Sequence, residues 1–313
     1  MLPEDRVALA EKLFSEISEW KHPVDKTLNN FFRSNRFIGS KDRRFISDFI
    51  YEKIRAMGNC PEWLLQYLPP AFEAELAALN TDAPTDLRVN TLVAKREAIK
   101  LDADFTPKSP YGLRLKKRQP LDMNGQYEVQ DEGSQLVTIY AAPQPGEKVL
   151  DYCAGAGGKT LMMAALMQNK GEITAFDIDP RRLETLKKRA KQAKVEILNF
   201  ENMGGYDLVF VDAPCSGTGT WRRAPDAKWR LTASKLKYYI FLQRQVLADA
   251  SRFVKKGGRL VYVTCSVLPI ENEQQVEWFL RQNKDFKQSG EAMSLSPFKT
   301  NTDGFFAVSF ERL

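Results

Sequence analysis

At 313 residues the chain exceeds one typical domain, and 43% hydrophobic residues can supply a buried core. No run of about 18 apolar residues occurs, and Glu4 and Asp5 near the front do not suit a secretory signal, so a cytoplasmic protein with no membrane partner is expected. The net charge of +6 permits a polyanionic partner without demanding one, while four scattered cysteines with no CxxC pair and a single histidine, His22 (expected at the surface), argue against zinc, other metal centres, a disulfide framework and histidine-based hydrolysis.

The first 68 residues read as a small helical domain. Val7, Leu9, Leu13, Phe14 and Ile17 recur at helical spacing, as do Phe45, Phe49, Ile50 and Ile54, with Ser40 and Asp42 marking a helix start. Pro61 and the Pro69-Pro70 pair punctuate the chain. Residues 69–135 form a mixed α+β segment, with a helix ending at Leu76–Leu79 and a short strand at Leu87–Asn90. Within it Lys95, Arg96, Lys100, Lys108, Arg114, Lys116, Lys117 and Arg118 cluster. Such a run is a solvated face, or a phosphate-tracking surface if the rest of the chain implicates nucleic acid.

From 136 to 313 the chain alternates. Strand-like runs at 147–153, 172–179, 206–213 and 259–265 are separated by helical stretches such as 158–169, 180–193 and 232–253. This order predicts an α/β fold with a mostly parallel sheet covered on both faces. In such a sheet ligands bind beyond the carboxyl ends of the strands. Four suggestive clusters fall there: Cys153-Ala154-Gly155-Ala156-Gly157-Gly158-Lys159, then Asp177, then Asp212 through Cys215, then Cys265.

The glycine loop is neither a P-loop, which would need Gly where Cys153 stands, nor GxGxxG, since position 160 is Thr160. It is a structural turn or a ligand cradle, and Asp177 favours the cradle because a carboxylate ending the next strand can accept from ribose hydroxyls. Cys215 and Cys265 each end a strand and precede a serine, which suggests covalent chemistry or, less readily without CxxC, a redox pair. The segment Trp221-Arg222-Arg223 through Lys228-Trp229-Arg230 mixes aromatics and cations, as a loop stacking on unpaired bases would, or as a lid with inward tryptophans. The 181–194 helix, with seven Lys or Arg against Glu184, reads as a solvated face.

Longer motifs carry a family resemblance. YEVQDEGSQLV (127–137), DYCAGAGGKT (151–160), VDAPCSGTG (211–219), RRAPDAKW (222–229), LVYVTCSVLPIENEQQV (260–276) and DGFFAVSF (303–310) occur in the order and spacing of the NOL1/NOP2/Sun family of RNA cytosine-5 methyltransferases, which the chain closely resembles from about 126 onward. Residues 1–68 resemble the NusB-type RNA-binding extension of the bacterial ribosomal RNA members, and LRVNT (87–91) resembles the family's small domain. The resemblance implies a Rossmann-like class I methyltransferase sheet, S-adenosylmethionine as cofactor and RNA as partner, ribosomal RNA first with transfer RNA as the alternative. It implies Cys265 as nucleophile and Cys215 in product release. Asp212 would bind the cytosine edge and lie near the cofactor, with residues 153–159 and Asp177 holding that cofactor.

A Pro-Cys pair supplies the nucleophile in DNA cytosine-5 enzymes, so Pro214-Cys215 is the rival assignment. The chain departs from the family's usual CAAPGGKT loop at Gly155-Ala156, and Asn199–Asn202 lacks the aspartate often set against the cofactor, which leaves the adenine contact open. Competing functions are a non-catalytic RNA-binding assembly factor and a methyltransferase of proteins or small molecules. A monomer is expected, since no heptad run is evident.

Overall fold

The computed structural model describes residues 2–58, 60–201 and 203–313. Helices α1 (Pro3–Ile17), α2 (Val24–Ser34) and α3 (Ser40–Ala56) form the front of the chain. Their facing stripes meet in one apolar cluster in which Ala10, Val24, Ile46, Ile50 and Ile54 have no exposed surface. Val7 is 41% exposed, and Ala10, one turn on, takes the inward place the spacing had given it. Helix α3 begins at Ser40, but Gly39 occupies the cap position and no side chain caps it. His22 is exposed, as its polar surroundings suggested.

After α4 (Glu73–Leu79) come β1 (Asp86–Val89), β2 (Ala103–Phe105), β3 (Gly112–Leu115) and β4 (Tyr127–Val129), an antiparallel sheet in the order β2-β3-β1-β4. Here four of the eight basic residues have partners. Arg114 binds buried Asp86 through two hydrogen bonds of 2.7 and 2.9 Å, Arg96 lies over the Phe105 ring at 3.8 Å, and Lys116 and Lys117 pair with Asp104 and Asp102. Lys95, Lys100, Lys108 and Arg118 are exposed.

Helix α5 (Glu132–Tyr140) leads into the large sheet. Its elements in chain order are β5 (Lys148–Asp151), α6 (Gly158–Leu166), β6 (Glu172–Ala175), α7 (Pro180–Ala193), β7 (Leu198–Asn199), β8 (Tyr206–Asp212), α8 (Ala227–Arg230), α9 (Ala233–Ser251), β9 (Val254–Thr264), α10 (Glu273–Gln282), β10 (Phe286–Gln288), β11 (Met293–Leu295), α11 (Pro297–Thr300) and β12 (Phe305–Arg312). The strand order is β10-β12-β9-β8-β5-β6-β7, with β5, β6, β7, β8 and β9 parallel and β12 antiparallel to β9.

Alternate residues along each strand serve opposite faces. Val149, Leu208, Phe210 and Val261 pack under α5, α6 and α7, while Leu150, Val209, Val211 and Leu260 pack under α9 and α10. Four consecutive residues of β8, Leu208–Val211, are therefore fully buried, which is why the run lacks polar alternation. The architecture is a Rossmann-like α/β sheet preceded by helices and a small antiparallel sheet.

Candidate active site

The parallel strands β5, β6 and β8 end at one cleft of about 970 Å³. The order turns outward in both directions from β5, and the loops after β5 and β8 separate there, which leaves the crevice. The glycine loop lines its floor. Gly155 and Gly157 have φ of +54° and +87°, a region side chains rarely adopt, and a Cβ on Gly157 would meet the Leu186 side chain at 2.0 Å. Above Gly155 and Gly158, by contrast, nothing lies within 4 Å of where a Cβ would stand. That open space in front of the α6 N-terminus is shaped for a ligand. Arg189 of α7 ties the loop down through the Ala156 carbonyl and bridges to Glu128 at 2.8 Å.

Asp177, just past β6, accepts from the Gly155 amide at 2.8 Å and the Asp179 amide at 2.9 Å, with Arg182 at 3.6 Å. Its carboxylate is thus fixed at the cleft wall beside Phe176 and Ile178, the latter 91% exposed. Phe200 does not line the cleft; it packs behind it against Tyr152 and Phe176, at 6.3 and 4.9 Å between ring centroids. Asn199 and Glu201 do not line it either, and Asn202 lies outside the described residues. The apolar residues beside Asp177 in the cleft lining are Phe176 and Ile178.

At the other end, Lys159 donates to Asp212 at 2.7 Å. Burial works against the lysine charge, but the Asp212 carboxylate more than offsets it, and the ammonium pKa is raised. Cys215 and Cys265 face each other with sulfurs 3.4 Å apart. The hydrogen bond to Cys265, then burial, then the nearby Cys265 and Glu271 charges push the Cys215 thiol well above its ordinary value. Either sulfur can be the donor of the contact. Cys153 lines the same cleft, and burial followed by the charges of Asp151, Asp212 and Asp177 raises its thiol well above the ordinary value. Cys60 sits elsewhere, packed against the apolar cluster around Leu64 and Trp221.

Residues 153–156, Gly158, Lys159, Asp177, Asp212 and Cys215 thus line one crevice, Cys265 adjoins it through its contact with Cys215, and Gly157 is buried beneath against Leu186. The loop of residues 221–230 corrects an expectation: it is not an exposed base-stacking surface. Trp221 is 1% exposed and Lys228 fully buried, and Trp229 stacks on Trp20 of the front helices. Arg222 and Arg223 are neutralised by Asp131 and Asp303, with Arg222 Nε–Asp303 at 2.7 Å and Arg223 Nη2–Asp131 at 2.8 Å. Only Arg223 of that loop reaches the cleft.

Four acids escaped the sequence reading although each sits inside a quoted motif: Asp131, Asp151, Glu271 and Asp303. Nothing in the sequence separates them from surface carboxylates except their apolar neighbours. Among the described residues no group of three or more His, Cys, Asp or Glu could hold a metal, and no helix is long and apolar enough to cross a membrane.

Residues 138–311 match the family described as 16S rRNA methyltransferase RsmB/F. The chain belongs to that family. It is 34% identical to ribosomal RNA small subunit methyltransferase B of Citrobacter koseri over 96% of this chain and 76% of the relative. It is 32% identical to the same-named protein of Photorhabdus laumondii over 79% of this chain and 65% of the relative, so it spans about two thirds to three quarters of these proteins. A methyltransferase homolog protein from Pyrococcus horikoshii superposes with a TM-score of 0.71 at 26% identity, covering 84% of this chain and 98% of its own. NSun6 from Pyrococcus horikoshii, solved with SFG, shares the fold at a TM-score of 0.70 and 19% identity over 80% of this chain and 98% of its own.

Proposed function

We propose that the chain methylates C5 of a cytosine in small-subunit ribosomal RNA, with S-adenosylmethionine as methyl donor and Cys265 as covalent catalyst. The observation that carries this reading is the contact of Cys265 at 3.4 Å with Cys215, which lines the same cleft as the Lys159–Asp212 pair and the glycine loop. Family membership and the names of the relatives support ribosomal RNA as substrate.

The residues fit the cofactor. The open space over Gly155 and Gly158 admits it, Asp177 would accept from ribose hydroxyls, and Phe176 with Ile178 would flank the adenine. SFG, held by the NSun6 neighbour, is an analogue of it. When bound, the cofactor supplies an electrophilic methyl group for C5.

C5 of cytosine is a poor nucleophile until the ring is broken open electronically. The Cys265 thiolate attacks C6, forming a carbon–sulfur bond and giving C5 enamine character, so that one hard step becomes easier ones. Asp212 would hold the N3 and N4 edge and offset charge as C6 is attacked. After C5 is methylated, its proton leaves to a base and the C6–S bond breaks, with Cys215 assisting release of the product. Despite its Pro-Cys context, Cys215 is the weaker candidate for first attack, because Thr264-Cys265-Ser266 matches the family's nucleophile motif.

The test is mass spectrometry of nucleosides from cells with and without the gene, with bisulfite mapping. A 5-methylcytosine lost from small-subunit RNA and restored by wild type but not by Cys265→Ala is the expected result. Cys215→Ala should accumulate an RNA–protein adduct. An adduct seen with Cys265→Ala but not with Cys215→Ala would exchange the two roles, and loss of methylation from transfer RNA instead would replace the substrate.

A further inference from the structure

The two cysteines sit on loops fifty positions apart in sequence. Strands β8 and β9 pair as far as Asp212–Val263, and beyond that the main chains contribute two links, the Ala213 amide to the Val263 carbonyl at 2.8 Å and the Gly219 amide to the Cys265 carbonyl at 3.0 Å. Side chains make up the rest of the tie: the Thr218 hydroxyl lies 3.0 Å from the Ser266 hydroxyl and accepts from the Val267 amide at 3.0 Å, and a buried carboxylate bridges the residues that follow the two cysteines. Glu271 has no exposed surface. Its Oε1 accepts from the Ser216 amide at 2.9 Å and from Gln243 Nε2 at 2.9 Å. Its Oε2 accepts from the Ser266 hydroxyl at 2.6 Å and from the Ser216 hydroxyl. Ser216 follows Cys215 and Ser266 follows Cys265. Gln243 also donates to the carbonyl of Pro214, the residue before Cys215, at 3.0 Å.

All four hydrogen-bond partners of this carboxylate are neutral. Burying a carboxylate is costly, and apolar packing could often fill such a volume at lower cost. What apolar packing could not do is set a distance between two loops from different strands. We infer that Glu271 is the positioning residue of the site: by bridging Ser216 and Ser266 it fixes the Cys215 sulfur against the Cys265 sulfur, so that Cys215 can act on the adduct Cys265 forms. The purpose rests on the methyl-transfer reading above, whereas the geometry does not.

Two measurements separate these. The first needs no methyl transfer. Diamide oxidises two neighbouring thiols to a disulfide, two electrons and two protons passing to its azo bond to give the hydrazine. In wild type Cys215 and Cys265 should cross-link rapidly and reversibly by dithiothreitol, as peptide mass mapping reads. Glu271→Ala should slow this about tenfold or more, since displacement of reacting atoms by an ångström costs that much or more, and Glu271→Gln should fall between. The second is turnover on unmethylated small-subunit RNA. Glu271→Ala should still form the adduct but resolve it slowly, and adding Cys215→Ala should slow resolution no further, because both changes remove one function.

Unfolding temperature accompanies each variant. If Glu271→Ala melts below assay temperature, the pair Ser216→Ala with Ser266→Ala, which cuts the hydroxyl ties and keeps the carboxylate, carries the same expectations. Equal cross-linking rates in wild type and variants, or a Cys215→Ala effect that simply adds to that of Glu271→Ala, would overturn the inference. Rapid cross-linking in a wild type that transfers no methyl group to RNA would leave the positioning role standing and sink the functional reading instead.

Discussion

At the scale of single residues, the site is held by acids whose charge is expensive. Asp151 ends β5 beneath the glycine loop and is 1% exposed. Thr160 donates to its Oδ2 at 2.6 Å, while its Oδ1 has no partner. Burial, only partly offset by the Thr160 bond, pushes its pKa up to about 7. Unfolded, it would titrate near 4. Between these values the native state keeps a proton that the unfolded chain releases, so Asp151 lowers stability progressively as pH rises from about 4 to about 7, and by a constant amount above. Asp151→Asn cannot ionise and should lose this slope. Thermal unfolding of variant and wild type should differ little at pH 4.5 and should favour the variant by a few kcal/mol, in order of magnitude, at pH 8. A difference between the two proteins that is the same at both pH values would show that Asp151 does not titrate in this window.

At the scale of elements, the junction of β5 and α6 separates what folding needs from what ligand binding needs. Gly157 caps α6 in a left-handed conformation and is pressed against Leu186, which is 1% exposed. Gly157→Ala should destabilise the protein by roughly 2–4 kcal/mol, combining backbone strain with overpacking. Gly158 is the first residue of α6, has an ordinary φ, and faces open space. Gly158→Ala should leave the unfolding temperature unchanged or slightly higher while weakening cofactor binding at least tenfold by calorimetry. A Gly158→Ala protein that binds S-adenosylmethionine as tightly as wild type would place the cofactor elsewhere.

The sequence distinguished neither glycine from the other, because both belong to one turn signal. It did show the sheet plainly: Leu208–Val211 reads as a strand because both its faces are covered, and the glycine loop, Asp177, Asp212 and the cysteines each stand where a strand run stops. Strand β9 was read too short. It starts at Val254, before the polar Lys255–Gly258 stretch, where pairing with β8 is irregular and no apolar pattern marks it. Glu271 was invisible because an ENE triplet looks solvent-facing until Ser216 and Gln243, distant in sequence, are folded against it.

At the scale of the whole molecule, the segment of residues 221–230 joins parts that the chain order keeps apart. Its aromatic and cationic composition is what an RNA-stacking loop and a buried joint have in common, and only partners remote in sequence decide between them. Trp229 stacks on Trp20 with ring centroids 6.4 Å apart, Asp226 accepts from the Val24 amide at 3.3 Å, and Lys228 donates to the Gly58 carbonyl at 2.7 Å. Arg222 is anchored from the other side by Asp303, at 2.7 Å, beside β12. The front helices therefore rest on a loop that is itself pinned next to the cleft, and their orientation relative to the cysteines depends on that loop.

Trp229→Ala removes the stack without touching the cleft lining. Truncation of a well-packed aromatic typically costs about 3 kcal/mol or more. Calorimetry of the variant should show the front helices melting as a separate transition below the main one, with S-adenosylmethionine affinity intact and RNA affinity reduced. A single transition at the wild-type temperature would mean that the contact transmits no stability. Normal RNA affinity despite a split transition would mean that the front helices are held in place but take no part in binding the substrate.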